Sequence, residues 1–311
     1  MEQLAYSLII PVHNSAGYVN TLFESIPHRA DLEVIVVDDR SEPEQAARTR
    51  ELLDAQAFPH SRFLQNLRGP GAGGARNTGM DHARGRWLVF ADSDDSFTAE
   101  FDAALTRWAD TACDIVLFRP YAAADQASQD AITYLLPVFD SGDAFAYGLL
   151  SHHVLWRFVR RDLVELGAIR CTESSVGNDT WFALSAVSAA TTLRQDPTPI
   201  YRHQIRKGSL TQHAHSFGEL AARADIQVAA AKLIRHAAPK ELWRVALPTK
   251  DWLLVRALAW CGPLGYLRLA ARLAGHGLPY SRAARNPILL AWNTLRRAAI
   301  VARRTGWSGH G

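Results

Sequence analysis

The residues best placed to do chemistry are carboxylates at short spacing. Asp92-Ser93-Asp94-Asp95 follows the apolar run Trp87–Ala91, and Asp38-Asp39 follows Leu32–Val37. In extended backbone, residues i and i+2 share a side, so Asp92 and Asp94 present their carboxylates together. Such oxygens suit a hard divalent cation, Mg²⁺ or Mn²⁺, which takes one or two protein carboxylates and completes its shell with phosphate and water. Three aspartates within positions 92–95 also repel one another unless a cation is near. The competing use of the same residues is a solvated acidic turn that caps a helix at Ser96–Glu100.

These clusters need a scaffold, and the first 118 residues supply one by alternating short β-rich runs with helical patterns. Strands are predicted at Ser7–Val12, Leu32–Val37, Arg62–Gln65, Trp87–Ala91 and Asp114–Phe118. Tyr18, Val19, Leu22, Phe23 and Ile26 form one apolar helical face between the first two. Ser41 with Glu44 reads as a capping box for a helix running toward Leu53. A parallel sheet covered by helices follows, and in such sheets ligands bind beyond the carboxyl ends of the strands. Those ends carry Pro11-Val12-His13-Asn14, Asp38-Asp39, a glycine-rich loop leading to Arg76-Asn77, and the Asp92–Asp95 cluster. Residues 119–150 read as an excursion ending in a helix near Ser141–Leu150. Val154–Val159, Thr180–Ala190 and Ile200–Ile205 then complete the domain, and from about His215 the pattern is helical.

SLIIPVHN, VIVVDDRS and ARNTGMDHARGRWLVFADSDD, in this order and at this spacing, resemble the family 2 glycosyltransferases with the GT-A fold. The resemblance is dense over residues 6–120 and sparse over 154–212. It implies an α/β fold of GT-A type: a mostly parallel sheet flanked by helices, with a C-terminal helical extension. It implies that Asp39, with Asp38 beside it, reads the nucleotide base, and that Pro11 and Asn14 shape the base pocket. It places Arg76 near the diphosphate, and Asp92 and Asp94 on ribose and metal. VLWRFVRRDLV matches the family's Trp-x-x-x-x-Arg element at Trp156 and Arg161. In GNDTWFAL, Asn178 stands where the family carries glutamate, and Asp179 occupies the position of the catalytic base; an N-cap is the structural alternative for Asp179. YRHQIRKGSLTQ resembles the closing strand and flexible loop, with Arg206 and Ser209 at matching places.

The expected activity is therefore inverting transfer of a sugar from a nucleotide-diphospho-sugar, a UDP-sugar by preference, to a hydroxyl of a glycan or lipid-linked acceptor. Surface polysaccharide synthesis is the expected setting. The expected domains are a catalytic 1–212, with a nucleotide-sugar half to about 120 and an acceptor half beyond it, and a helical basic region 213–311. Two alternatives come from other classes. Gly69–Gly74 contains a GxGxxG string, the mark of a nicotinamide-dependent oxidoreductase, although it follows the third strand and holds Pro70. A non-catalytic membrane-surface protein is the other. His152-His153 and His213-Ala214-His215 lack a spaced third ligand and read as surface or packing histidines.

Composition sets the outer limits. With 311 residues and 48% hydrophobic content the chain is globular, and its three cysteines, Cys113, Cys171 and Cys261, form no CxxC pair. Neither a zinc cage nor a disulfide framework is expected, and a reducing cytoplasmic compartment is. The N-terminal apolar run stops at Pro11, short of a signal peptide, and no run approaches the roughly 18 apolar residues of a spanning helix. The net charge of +3 is uneven: from Lys240 onward it is +10, which leaves −7 for residues 1–239. Trp252, Leu253, Leu254, Leu258 and Trp260, then Leu289, Leu290, Trp292, Leu295 and Ile300, alternate with arginines. That pattern predicts a peripheral helix on an anionic membrane surface, with packing onto a core as the alternative. No basic sheet or recognition-helix pattern accompanies it, so nucleic acid is not an expected partner.

Overall fold

The computed structural model describes residues 4–174, 176–206 and 215–280. The chain divides into two compact units, Met1–Ile205 and Arg206–Gly311. The first unit begins with β1 (Tyr6–Val12), α1 (Val19–Glu24), β2 (Leu32–Asp38), α2 (Pro43–Ala55), β3 (Ser61–Gln65), α3 (Ala72–His82) and β4 (Trp87–Phe90). It continues through β5 (Ser96–Phe97), α4 (Phe101–Trp108), β6 (Ile115–Phe118), β7 (Tyr121–Ala122), α5 (Gln126–Ile132), α6 (Leu136–Asp140) and α7 (Ala144–Leu150). It closes with β8 (Arg157–Arg160), α8 (Arg161–Leu166), α9 (Thr180–Ala189), β9 (Leu193–Asp196) and β10 (Tyr201–His203).

A seven-stranded sheet runs β3-β2-β1-β4-β8-β6-β9, and a three-stranded sheet runs β5-β10-β7. In the large sheet β1, β2, β3 and β4 are mutually parallel, whereas β8 enters antiparallel to both β4 and β6. β1 and β2 are buried along their whole length, as expected of parallel strands covered on both faces, which explains their near-continuous apolar runs. Within β2 the charged residues are Asp38 at its end and Glu33 in its interior, and Glu33 is the one with no loop beside it. It is tolerated because Ser7 Oγ and the Arg84 amide donate to it and Arg62 pairs with it. The predicted α/β architecture, mostly parallel and flanked by helices, is the one observed.

Local readings differ in places. The Ser41–Glu44 capping box does not form: α2 has Glu42 at its N-cap position without a side-chain cap, and Pro43 opens the helix. Pro43 has no N–H to satisfy, and Ser41 Oγ instead accepts the Asn14 amide. Nor does the acidic run cap a helix at Ser96–Glu100, because Ser96–Phe97 pairs with β10 and the helix starts at Phe101.

The second unit holds α10 (Phe217–Ala237), α11 (Trp243–Ala246) and α12 (Asp251–Leu273). α10 opens with a genuine capping box, Ser216 and Glu219 bonding each other's backbone amides. α12 kinks where Gly262 adopts φ 69° before Pro263. Leu220, Ala224, Leu253, Leu254, Ala257, Leu269 and Leu273 make this unit's core, with Trp252 and Trp260 packed against it. The first half of the predicted membrane stretch thus buries much of its apolar surface inside its own unit. Leu289, Leu290, Trp292, Leu295 and Ile300 lie outside the described residues. Among the described residues no helix is long and apolar enough to cross a membrane.

The position of α3 depends on a missing side chain, since a Cβ on Gly79 would lie 2.4 Å from Ile9 Cγ2 of β1. Gly79→Ala should destabilise the protein by about 1–3 kcal/mol through overpacking, only partly offset by the better helix propensity of alanine. Gly17→Ala, where nothing lies within 4 Å, serves as the control. Urea unfolding checks both, and an unchanged midpoint for Gly79→Ala would remove the close-approach argument.

Candidate functional site

The strand-end clusters converge at the point where the sheet order reverses, with β2 on one side of β1 and β4 on the other. Pro11 lies beyond the last β1–β4 pair, Ile9 with Phe90, where its missing N–H costs no ladder bond to β4. Asn14 takes a left-handed backbone, φ 50°, and its Oδ1 accepts the Glu42 amide at 2.8 Å. Ser15 Oγ and Ser93 Oγ stand 3.1 Å apart and tie the loop after β1 to the loop after β4.

Asp38 and Asp39 divide their work. Asp39 accepts the Gly71 amide and Asn66 Nδ2, each at 2.6 Å, so its carboxylate fastens the glycine-rich loop. Asp38 is buried, and its Oδ1 has no hydrogen-bond partner among the described residues. The glycines are explained by close approach. A Cβ at Gly73 would meet Thr172 O at 2.1 Å, and one at Gly74 would meet Gly69 O at 1.8 Å. Glu173 accepts the Gly69 amide from outside. Two carboxylates, Glu173 and Asp39, thus take the Gly69 and Gly71 amides of this glycine-rich loop.

Arg76, on α3, is buried, and it joins two distant segments: Nη1 donates to Asn178 Oδ1 at 2.6 Å and Nη2 to Asp92 Oδ1. Burial disfavours its charge, but the Asp92 carboxylate outweighs that and raises its pKa. Asn77 holds the same loop by exchanging hydrogen bonds with the Cys171 backbone. Asp92 keeps about a third of its side chain exposed, and Asp94 is partly exposed. Asp95 is fully engaged inside. Tyr201 donates to its Oδ2 at 2.7 Å, the Gln204 amide donates to its Oδ1 at 2.7 Å, and His203 Nδ1 lies 3.1 Å away. The mutual repulsion expected of the acidic run is thus relieved for Asp95 by protein groups. Among the described residues no cluster of three or more His, Cys, Asp or Glu side chains is arranged to hold a metal.

On the other side stand Trp156 and Asp179. Trp156 is buried with φ 54°, a strained conformation for an aromatic residue, and it is held by Nε1 donating to Tyr201 O at 3.0 Å. Arg161 bonds Gly85 O at the opposite end of the sheet, away from Asp92. Asp179 occupies the N-cap position of α9 but makes no side-chain cap bond. Its Oδ2 instead lies 3.6 Å from His153 Nδ1. Burial favours the protonated acid, yet His153 and the Arg76 guanidinium outweigh it and bring the pKa down to about 2. Burial pushes the neighbouring His152 down to about 4. Arg206 opens the second unit and is half-buried, while Ser209 lies outside the described residues.

Sequence reasoning missed Asn66, Tyr201, His203 and His153. The first three are brought in by long-range folding without a local pattern. His153 carried a signal, its place three residues before Trp156, but it read as a packing histidine.

The family model for glycosyl transferase family 2 matches residues 7–164. The chain belongs to this family. A putative glycosyltransferase, EpsH of Bacillus subtilis, is 24% identical over 68% of this chain and 64% of its own length, so the match spans under two thirds of that relative. Among solved structures, TarS 1–349 of S. aureus in complex with UDP-GlcNAc shares the fold with a TM-score of 0.70 at 16% identity, covering 98% of this chain and 93% of that one. The mannosyltransferase PcManGT of Pyrobaculum calidifontis, in complex with GDP-Man and Mn²⁺, gives a TM-score of 0.58 at 19% identity, covering 98% and 88%.

The hydroxyl of Tyr201 accepts the Asp92 amide while donating to Asp95. Tyr201→Phe should leave both groups short of a partner and cost about 1–3 kcal/mol. Thermal unfolding checks this, and an unchanged Tm would mean that the hydroxyl does not hold the acidic run.

Proposed function

We propose that the protein is an inverting glycosyltransferase that moves a sugar from a nucleotide-diphospho-sugar, most simply a UDP-sugar, to a hydroxyl of a glycan or lipid-linked acceptor in polysaccharide synthesis. The observation that carries this reading is the Arg76 bridge, which joins Asp92 on one side to Asn178, next to Asp179, on the other. A positive group stands between a carboxylate suited to ribose and metal and a carboxylate suited to proton removal.

In this reading the base lies against Pro11 and Asn14 and is read at Asp38-Asp39, where the buried Asp38 Oδ1 is an acceptor in search of a donor. Arg76 stabilises the diphosphate as negative charge collects on it. Trp156 and Ser209 support the acceptor. Asp179, held ionised, takes the proton of the attacking hydroxyl, and attack opposite the leaving diphosphate inverts the anomeric carbon.

The donor set fits a divalent cation that relies on substrate oxygens. Asp95 is consumed internally, and the partly exposed Asp92 and Asp94 match the one or two carboxylates such an ion takes. Mn²⁺ or Mg²⁺ held by Asp94 with Asp92 would supply neutralisation of the departing diphosphate. A metal-bound neighbour of the same fold, PcManGT with Mn²⁺, supports the choice.

Hydrolysis of a panel of UDP- and GDP-sugars with Mn²⁺ or EDTA tests the class, and turnover should require the cation and vanish in Asp94→Asn. Asp179→Asn should lower kcat by roughly 10²- to 10⁴-fold with nucleotide affinity nearly unchanged. Full activity in EDTA removes the metal, and wild-type kcat in Asp179→Asn removes the base.

The second unit supports peripheral attachment at the cytoplasmic face of an anionic membrane. On α12 the side chains of Leu264 and Leu267 are exposed, at 68% and 62%, beside Arg268. The protein should sediment with anionic but not neutral vesicles, and added salt should release it. Retention in the supernatant at low salt would assign the basic region a structural role.

A further inference from the structure

One cation of the second unit is held by aromatic rings and by no acid. Trp252, Arg256 and Trp260 follow one another at four-residue spacing on α12 and so share one face of it. The Arg256 guanidinium lies over both rings, 4.8 Å from the Trp252 centroid and 5.3 Å from the Trp260 centroid. Arg223 of α10 approaches the Trp252 ring as well, at 5.8 Å. All four side chains are half-buried. Aromatic faces attract a cation but do not neutralise it. Among the described residues no carboxylate pairs with Arg256. Burial and the charge of Arg223 push its pKa down to about 10, so it remains charged at neutral pH.

The unit has few acids to offer. Residues 206–311 hold 17 Lys and Arg against four Asp and Glu, and those four lie elsewhere. Glu219 caps α10, Asp225 pairs with Arg272, Asp251 opens α12, and Glu241 lies between α10 and α11. Residues 207–214 and 281–311 contain no Asp or Glu at all. Withdrawing a guanidinium from water without a counter-charge is unfavourable, so this arrangement is completed by an anion from outside the unit. The neighbouring ring carries a further donor, since Trp260 Nε1 is buried and has no hydrogen-bond partner among the described residues. A planar fork of N–H groups beside an indole N–H suits the several oxygens of a phosphate. Tryptophan favours the boundary between lipid and water, and farther along α12 Leu264 and Leu267 are exposed, which points to a phosphate carried by a lipid.

We propose that Trp252, Arg256 and Trp260 form a binding site for the phosphate monoester of an anionic lipid headgroup, with Arg256 supplying the charge and the two indoles holding it in place. The inference rests on the membrane-attachment reading and deepens it. The general basicity of the unit draws it to any anionic surface, whereas this site selects phosphate.

The test sediments the full chain with phosphatidylcholine vesicles that contain either phosphatidic acid or phosphatidylglycerol, adjusted to equal surface potential. Wild type should bind the phosphatidic acid vesicles at least about fivefold more tightly, and inorganic phosphate at constant ionic strength should compete that preference away. In Arg256→Gln the preference should vanish while binding to phosphatidylglycerol stays within about twofold, because the remaining basic residues supply the unspecific attraction. Trp260→Phe, which keeps a ring and removes the Nε1 donor, should weaken the preference. Circular dichroism checks the fold of each variant, and Arg256→Lys, which keeps the charge and loses the fork, carries the comparison where Arg256→Gln does not fold. Equal binding of the two vesicle types by wild type, or a preference that survives the loss of the Arg256 fork, would overturn the site and leave membrane attachment standing. A wild type that sediments with neither vesicle would overturn attachment as well. If it then gains Tm with inorganic phosphate, and Arg256→Gln does not, the ligand is free phosphate and the lipid assignment is wrong.

Discussion

A buried guanidinium is the constraint on which the site is built. Moving a charge from water into a protein interior costs several kcal/mol unless partners replace the water, and Arg76 finds them on two segments that the chain visits about 16 and 102 residues later. Asp92 neutralises the charge; Asn178 satisfies a donor without adding a second negative charge. Because the side chain leaves α3 at a fixed height, its length sets how near the loop after β4 and the loop before α9 can stand. The height in turn rests on Gly79 against Ile9 and on Gly73 against the Thr172 carbonyl. Small residues on one helix therefore fix the spacing of carboxylates that none of them touches.

The sheet supplies the other half of the arrangement. With β2 and β4 on opposite sides of β1, the loops after these strands diverge and leave a crevice, the usual consequence of a reversal in strand order. Ser15 to Ser93 ties the loop after β1 to the loop after β4, while Asn14 to Glu42 and Asp39 to Gly71 tie the loops after β1, β2 and β3 to one another. Each satisfies a group that a loop without regular ladder bonds would leave unpaired. The small sheet adds a brace, since Tyr201 on β10 reaches both the Asp92 amide and the Asp95 carboxylate.

What the sequence made legible was the part written in local patterns. Near-continuous apolar runs located β1, β2 and β4, and the strand-end rule pointed to the residues after them. The errors arose where a second interaction competed for the same residue. Ser41 looked like a helix cap, but Asn14 claims its hydroxyl and Pro43 needs no cap. Asp95 looked like one more surface carboxylate, but its partners Tyr201, His203 and Gln204 lie more than 100 residues away and carry no mark of their destination. Likewise the leucines at 253 and 254 have the same pattern whether they face lipid or Leu220, and the fold of their own unit chose the latter.

The start of α9 shows how a helix can forgo its usual cap. Aspartate at an N-cap ordinarily accepts from the amides of the first turn, which lowers its energy and ties up its oxygens. Asp179 has the position without that bond, and its backbone there is helical, so the carboxylate turns away from the amides toward His153. The stabilisation forgone by the helix is matched by strain close by, where Trp156 adopts a positive φ and is held by Tyr201 and by ring edges from His153 and His203. Strain of this kind costs on the order of 1–3 kcal/mol and persists only when the surroundings over-determine it. Two of these residues, Tyr201 and His203, also brace the acidic run, so one network, centred on Tyr201, sets both the Asp92–Asp95 segment and the aromatic wall beside Asp179.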